Sequence, residues 1–192
     1  NELEWIGVAD RSAGIADDWV LGLPGRVVGN QFKSSRLPGE FRLQTWLLGA
    51  DGLLAPLIAA WQSLKRSHPM RKAEVCLVTN NFPSSSDTLA NDESTHSEAF
   101  LTEFESHPDR SLAEWLATSW HSWIQALRER SGLDNEQFGD FLSALKIVHG
   151  ASADFLPPHR LTAAAPHLIA KIADLLPRLV ADERDKDRWS RE

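Results

Sequence analysis

The chain has 192 residues, 42% of them hydrophobic, and a formal net charge of −7. That is enough for one full domain, or for a compact domain with a helical extension. No run of about 18 apolar residues and no leader pattern occurs, which argues against a membrane span or secretion and for the cytoplasm. The single cysteine, Cys76, excludes an internal disulfide and a cysteine-based zinc cage. Met70 is the only methionine, so a stretch upstream of Asn1 is expected in the parent protein.

In chain order, Leu3 to Val8 reads as a short strand and Asp10 to Gly14 as a loop. Asp17 to Leu23 and Val27 to Phe32 are apolar runs separated by Pro24-Gly25, a hairpin signal. After Leu37-Pro38-Gly39 the period changes: Leu43, Trp46, Leu47, Ala50, Leu54, Leu57, Ile58, Trp61 and Leu64 recur at helical spacing. Gly49, Gly52 and Pro56 are expected to break or kink that helix. Glu74 to Thr79 then reads as a buried strand ending at Asn80-Asn81.

Residues 83–97 are Ser-, Asp-, Asn- and Thr-rich and read as a polar loop or linker. From Glu98 on, the pattern is helical throughout. Ser111 and Glu114 fit a capping box, opening a helix striped by Trp115, Leu116, Trp120, Trp123, Ile124 and Leu127. Asp134 caps a second helix with Phe138, Phe141, Leu142 and Leu145, and a third follows Pro157-Pro158 with Leu168, Ile169, Ile172, Leu176 and Leu179. The organisation expected is an α/β core over 1–82, a linker over 83–97 and a helical extension over 98–192.

Charge is uneven along the chain. The net formal charge is −1 for residues 1–50, +2 for 51–75, −6 for 76–110, −2 for 111–150 and 0 for 151–192. Arg26, Lys33, Arg36, Arg42, Lys65, Arg66, Arg71 and Lys72 leave the first third able to form a local positive surface, compatible with a polyanion.

The pattern with chemical content is Asp17-Asp18 followed, one hairpin later, by Gln31-Phe32-Lys33-Ser34-Ser35. Hydrolysing a phosphodiester near neutral pH calls for a hard cation, a positioned water and positive charge near phosphorus. Magnesium takes oxygen ligands, typically one or two carboxylates with waters and phosphate oxygens. Side chains alternate along a strand, so Gln31 and Lys33 share a face. With an even-length turn, Leu23 opposes Arg26, Val20 opposes Gly29 and Asp18 opposes Gln31, bringing Asp18, Gln31 and Lys33 together. An odd-length turn flips the parity and favours Asp17. The bland alternative is a polar strand end that simply meets water.

Strand, hairpin, helix and strand with Asp, about a dozen residues, then Gln-x-Lys resemble the PD-(D/E)XK nuclease superfamily, in the variant where Gln replaces the second acid. More narrowly, Ile15 to Leu21, Gln31 to Ser35 and Val75 to Asn80 resemble N-terminal double-stranded-DNA nuclease domains of bacterial anti-phage effectors (STAND- or CBASS-type defence proteins), over residues 1–82. The resemblance implies a restriction-endonuclease-like mixed sheet followed by an all-α segment. It also implies Mg²⁺ or Mn²⁺ held by Asp18, Gln31 and the backbone carbonyl of Phe32, with Lys33 assisting the nucleophilic water. The partners implied are double-stranded DNA, a sensor or ATPase domain in the same parent chain, and a second copy of the chain. The family core begins with a helix that often carries a glutamate ligand. None precedes Leu3, so Asp17, Glu4 or a residue upstream of Asn1 is expected to supply the second charge.

Other groups have plainer readings. The seven histidines show no close ligand spacing, Cys76 reads as an inert core residue, and Trp115, Trp120 and Trp123 at helical spacing read as core before base-stacking. The competing function is a nuclease-like module without activity, used for protein interaction or DNA docking. A helical scaffold whose first third only packs is the third reading, and it leaves the hairpin's polar end unexplained.

Overall fold

Val20 and Val27 are fully buried while the residues flanking each are only half covered, the alternation expected of strands with one face on a core. The structure, a computed structural model, describes residues 3–8, 19–33, 35–92 and 95–150. The elements below belong to one unit, Glu4–Phe155. Strands β1 (Trp5–Val8), β2 (Trp19–Leu23) and β3 (Arg26–Lys33) form an antiparallel meander. Pro24-Gly25 closes the β2–β3 turn, with Gly25 at φ 72°, a left-handed conformation that suits glycine. The register pairs Leu23 with Arg26, Val20 with Gly29 and Trp19 with Asn30, so the even-length parity holds over the described residues.

Beyond the hairpin come β4 (Glu40–Phe41), α1 (Leu43–Leu48), α2 (Leu54–Ser67), β5 (Lys72–Thr79) and β6 (Phe82–Pro83). The expected helical break is at Gly49 and Gly52: a Cβ would lie 2.3 Å from the Thr45 carbonyl oxygen at the first and 2.4 Å from that of Leu47 at the second. Pro56 does not kink α2, because it falls in the first turn, where backbone N–H groups lack helical partners anyway.

Then follow α3 (Ser97–Ser106), α4 (Leu112–Leu116), α5 (His121–Ser131), α6 (Asn135–Ala144) and β7 (Leu145–Val148). The capping box at Ser111 and Glu114 is present, and Asp134 caps α6 through the Gln137 N–H at 2.8 Å. Two readings are corrected. The Trp115–Leu127 stripe is split between α4 and α5, because Thr118 Oγ1 bonds back to the Trp115 carbonyl and accepts from the Trp120 N–H. The region after Glu98 is also not all-helical. Leu145 begins β7, which pairs parallel to β5 and buries Leu145 and Ile147 on the sheet. Two buried apolar residues at a spacing of two fit a strand as well as the end of a helix, which periodicity alone cannot separate. The helix expected around Leu168 to Leu179 lies outside the described residues.

The result is a mixed α/β fold with a five-stranded sheet ordered β1-β2-β3-β5-β7, the last three strands parallel. Val20, Val27, Val75, Leu77, Leu145 and Ile147 form the core face, packed with Leu57, Trp61, Phe138 and Phe141 of α2 and α6. A second aromatic cluster joins α3 to α5: Phe100 lies within 6.1 Å of Trp115, Trp120 and Trp123 by ring centroids. These tryptophans are buried and serve as core. No helix among the described residues is long and apolar enough to cross a membrane.

At the rim of that cluster Trp120 Nε1 donates to Glu103 at 2.6 Å, and Arg110, which lies over the Trp115 ring, pairs with the same carboxylate. The Trp120 indole N–H first, and Arg110 second, hold the Glu103 carboxyl below its ordinary range. A depressed carboxyl contributes stability above its unfolded value and loses it as pH falls through the folded one. Glu103→Gln is therefore expected to cost about 1 kcal/mol at neutral pH. The difference should shrink as pH falls below the ordinary glutamate value of about 4.3, as read by urea unfolding at several pH values; a gap that did not narrow with acid would contradict the assignment.

Candidate active site

The carboxyl ends of parallel strands are where open α/β sheets commonly bind ligands, since the chain leaves the sheet there in loops. In this fold β3 and β5 run side by side from Arg26 with Lys72 to Lys33 with Thr79. At their carboxyl ends is a cleft of about 770 Å³ lined by Phe32, Lys33 and Ser35 from the end of β3, Asn81 after β5, and Thr45, Trp46 and Asp51 from α1 and its loop.

Gln31 and Lys33 share the core-side face of β3, because Val27 and Gly29 precede them at alternate positions. Gln31 is 8% exposed and Lys33 is exposed. Two residues along a strand separates their Cα atoms by roughly 7 Å; Lys33 reaches the cleft at the water line, while the Gln31 amide lies deeper on the same face. The Gln31 Nε2 donates to the Phe32 carbonyl at 3.2 Å. That orients the amide along the strand and engages the carbonyl expected to serve a metal.

Asp17 and Asp18 lie outside the described residues, as does Ser34. Glu4 is described, and the structure does not bring it to this cleft. Its N–H bonds the Gly22 carbonyl, and its carboxylate pairs with Arg71 at 2.6 Å, at the turn end of the hairpin. Gly22 opposes Val27, and four residues of strand separate Val27 from Gln31, roughly 13 Å. Ligands of one magnesium ion sit about 2 Å from it, so Glu4 and Gln31 cannot share an ion. As a second metal ligand Glu4 is ruled out; it is an ion-pair partner that pins β1.

Asp51 was missed by sequence reading. It sits on the loop between α1 and α2, held by the Gly52 N–H to the Gly49 carbonyl at 3.0 Å and the Leu53 N–H to the Trp46 carbonyl at 2.7 Å. Its carboxylate is exposed and has no hydrogen-bond or ion-pair partner among the described residues. A lone acid between two glycines in a helix break reads as solvated loop, and only the fold carries it to the cleft wall.

The loop after β3 is fastened by side chains of Asn80 and Asn81. The Asn80 amide donates to the Ser35 carbonyl at 2.7 Å and accepts from the Ser35 N–H at 2.8 Å, imitating one more backbone pair beyond the ladder. Asn81 accepts from the Gly39 N–H at 3.0 Å and donates to Ser35 Oγ at 3.2 Å. The polar segment that follows is built rather than slack. The Leu43 N–H donates to Ser97 Oγ, which donates to Asp87 Oδ2 at 2.6 Å, while Asp87 Oδ1 accepts from the Ser97 N–H. Both residues are buried, so α1 and α3 start from one shared knot.

Of the eight cations named above, Arg26 and Lys72 pair with Glu74, Arg71 with Glu4 and Lys65 with Asp140. Lys33, Arg36, Arg42 and Arg66 have no ion pair among the described residues. The first three belong to the cleft end of the sheet. Among the described residues no group of three or more His, Cys, Asp or Glu is placed to hold a metal. The Phe32 carbonyl and the Asp51 carboxylate, from residues that line the cleft, and the Gln31 amide deeper on β3 are oxygen donors of the hard type magnesium takes. Comparison with protein-family models, with curated proteins and with solved structures finds no match to the chain.

Asn80→Ala removes both bonds to Ser35 and is expected to lower stability by about 1 kcal/mol. Amide exchange at Ser35 should speed up at least tenfold, while the amides of β5 keep their protection. Unchanged exchange at Ser35 would show that something else holds the loop.

Proposed function

We propose that the chain is a magnesium-dependent DNA endonuclease domain (manganese serving in its place), acting as the effector of a larger bacterial anti-phage defence protein. The observation that carries the reading is the placement of Lys33 at a cleft by the carboxyl ends of parallel strands, with Gln31 on the same face of β3. The parity that pairs Asp18 with Gln31 on paper is the same one that holds at Trp19 and Asn30.

In this reading Asp18, Gln31 and the Phe32 carbonyl hold the divalent ion, and Asp51 supplies the second carboxylate. The ion, when bound, supplies positive charge at the phosphate under attack. Lys33 orients the attacking water by hydrogen bonding and offsets negative charge as it builds on the phosphoryl oxygens. The buried Gln31 amide cannot lose a proton, so its task is to position and not to accept protons. Residues closing the cleft, Trp46 and Thr45 of α1, limit bulk water around the reacting group. A sensor or ATPase domain in the parent chain would supply control, and a second copy would supply the other strand's active site.

A second reading, an inactive nuclease-like module for DNA docking or protein interaction, draws support from the neutral Gln31 and from the absence of a three-acid cluster among the described residues.

The two separate cleanly. Plasmid cleavage with magnesium is expected to fall on the order of 100-fold or more in Lys33→Ala and in Asp18→Asn, with the Lys33→Ala unfolding midpoint unchanged because that side chain is exposed. A chelator should stop the parent and manganese restore it. Equal cleavage by Lys33→Ala and the parent would remove the enzymatic reading, and no cleavage by the parent at saturating metal would favour the second.

A further inference from the structure

A second cleft, of about 570 Å³, lies on the other side of α1. Its walls include Arg42, Gln44, Thr88 and Asn91, and it shares Thr45 and Gly49 with the cleft at Lys33. The two therefore adjoin along α1 as halves of one groove. Resting on the nuclease reading, we propose that this second half holds the DNA backbone next to the cleaved phosphate, with Arg42 as the cation that binds it.

Arg42 stands at the N-cap of α1, where Ser, Thr, Asp or Asn usually bonds the first free N–H groups. It makes no such bond. Ser97 does that work instead, accepting from the Leu43 N–H at 2.8 Å. The Arg42 side chain is thus exposed, unpaired among the described residues, and without a part in holding the fold. The acid of this wall, Asp87, is buried and has each oxygen engaged by Ser97, one by its N–H and one by its hydroxyl, so it is held by the fold and forms no ion pair with Arg42.

The opposite wall is a tight turn, Leu89 to Asp92, with Ala90 at φ 51° and Asn91 at φ 63°. Two successive left-handed non-glycine residues cost on the order of 1 kcal/mol each. The turn is held regardless: Thr95 Oγ1 bonds the Leu89 and Asp92 carbonyls, and the Ala90 N–H donates to Gln44 Oε1 at 3.2 Å. The effect is to set Asn91 and Thr88 on a stiff wall facing the groove beside Arg42. A cation, hydroxyls and amides along a groove are the usual phosphate-holding set, which positions a strand without reading its sequence.

The test is equilibrium binding of a labelled duplex to the full chain, at several salt concentrations and with calcium in place of magnesium to prevent cleavage. Arg42→Ala should weaken binding about five- to tenfold and lower the slope of log affinity against log salt by about one, the loss of one phosphate contact. Arg42→Lys should keep the slope. Arg66→Ala, an unpaired cation at the end of α2, should leave affinity and slope unchanged. If the parent binds and cleaves DNA but Arg42→Ala keeps the parent slope, or Arg66→Ala lowers it equally, the groove assignment fails and the nuclease reading stands. If the parent shows no salt-dependent duplex binding, the reading of the substrate as DNA fails, and the groove assignment with it.

Discussion

Arg26 to Lys33 of β3 lie in parallel against Lys72 to Thr79 of β5, paired residue for residue. That register positions the rest of the molecule. It sets Gly29 beside Val75 and Gln31 beside Leu77, so the face carrying Lys33 is the one the helices cover. A slip of β3 by one residue would turn Gln31 and Lys33 to the other side of the sheet and bring Asn30 and Phe32 to the helix-covered face. Such a slip is costly, because Val27, fully buried, would leave the core with them. Hydrophobic burial in the middle of two strands thus enforces the orientation of polar groups at their ends.

The hairpin half of this arrangement was legible before any coordinates. Pro24-Gly25 between two apolar runs marks the turn; its parity was open between Asp17 and Asp18, and the pairing of Leu23 with Arg26 makes it even over the described residues. The carboxyl half was less so. Two apolar positions at Leu145 and Ile147 are too few to distinguish a last helical turn from a strand, and it takes the vacant edge of β5 to decide for a strand. The polar segment before α3 misled for a different reason. Ser84, Asp87, Thr95 and Ser97 are buried, but composition reports only that they are polar, not that they satisfy one another and the start of α1.

The candidate site divides along the same line. Gln31 and Lys33 could be read because strand periodicity is local. Asp51 and Asn81 could not, because only the fold, which joins segments dozens of residues apart, carries them to the cleft wall. Glu4 illustrates the converse. Its type suits a metal ligand, yet its place beside Gly22 and Arg71 is decided by the antiparallel pairing of β1, which sends it to the far end of the hairpin.

A net charge of −7 would seem ill suited to a polyanionic substrate, and the distribution of ion pairs bears on that. At the turn end of the sheet, Glu74 takes Arg26 and Lys72, and Glu4 takes Arg71, so cations there are cancelled locally. At the cleft end Lys33, Arg36 and Arg42 carry no such partner among the described residues, and the nearby Glu40 accepts a hydrogen bond from Ser84. Fields of exposed charges fade beyond about 8–10 Å in physiological salt. A phosphate at the groove would therefore meet mainly Lys33 and Arg42, with Asp51 and Asp87 as the opposing charges, and little of the acidic surface on α3 to α6. Under the proposed function, Asp51 would repel the phosphate unless a divalent ion lay between them, which makes metal and substrate binding mutually dependent at this cleft.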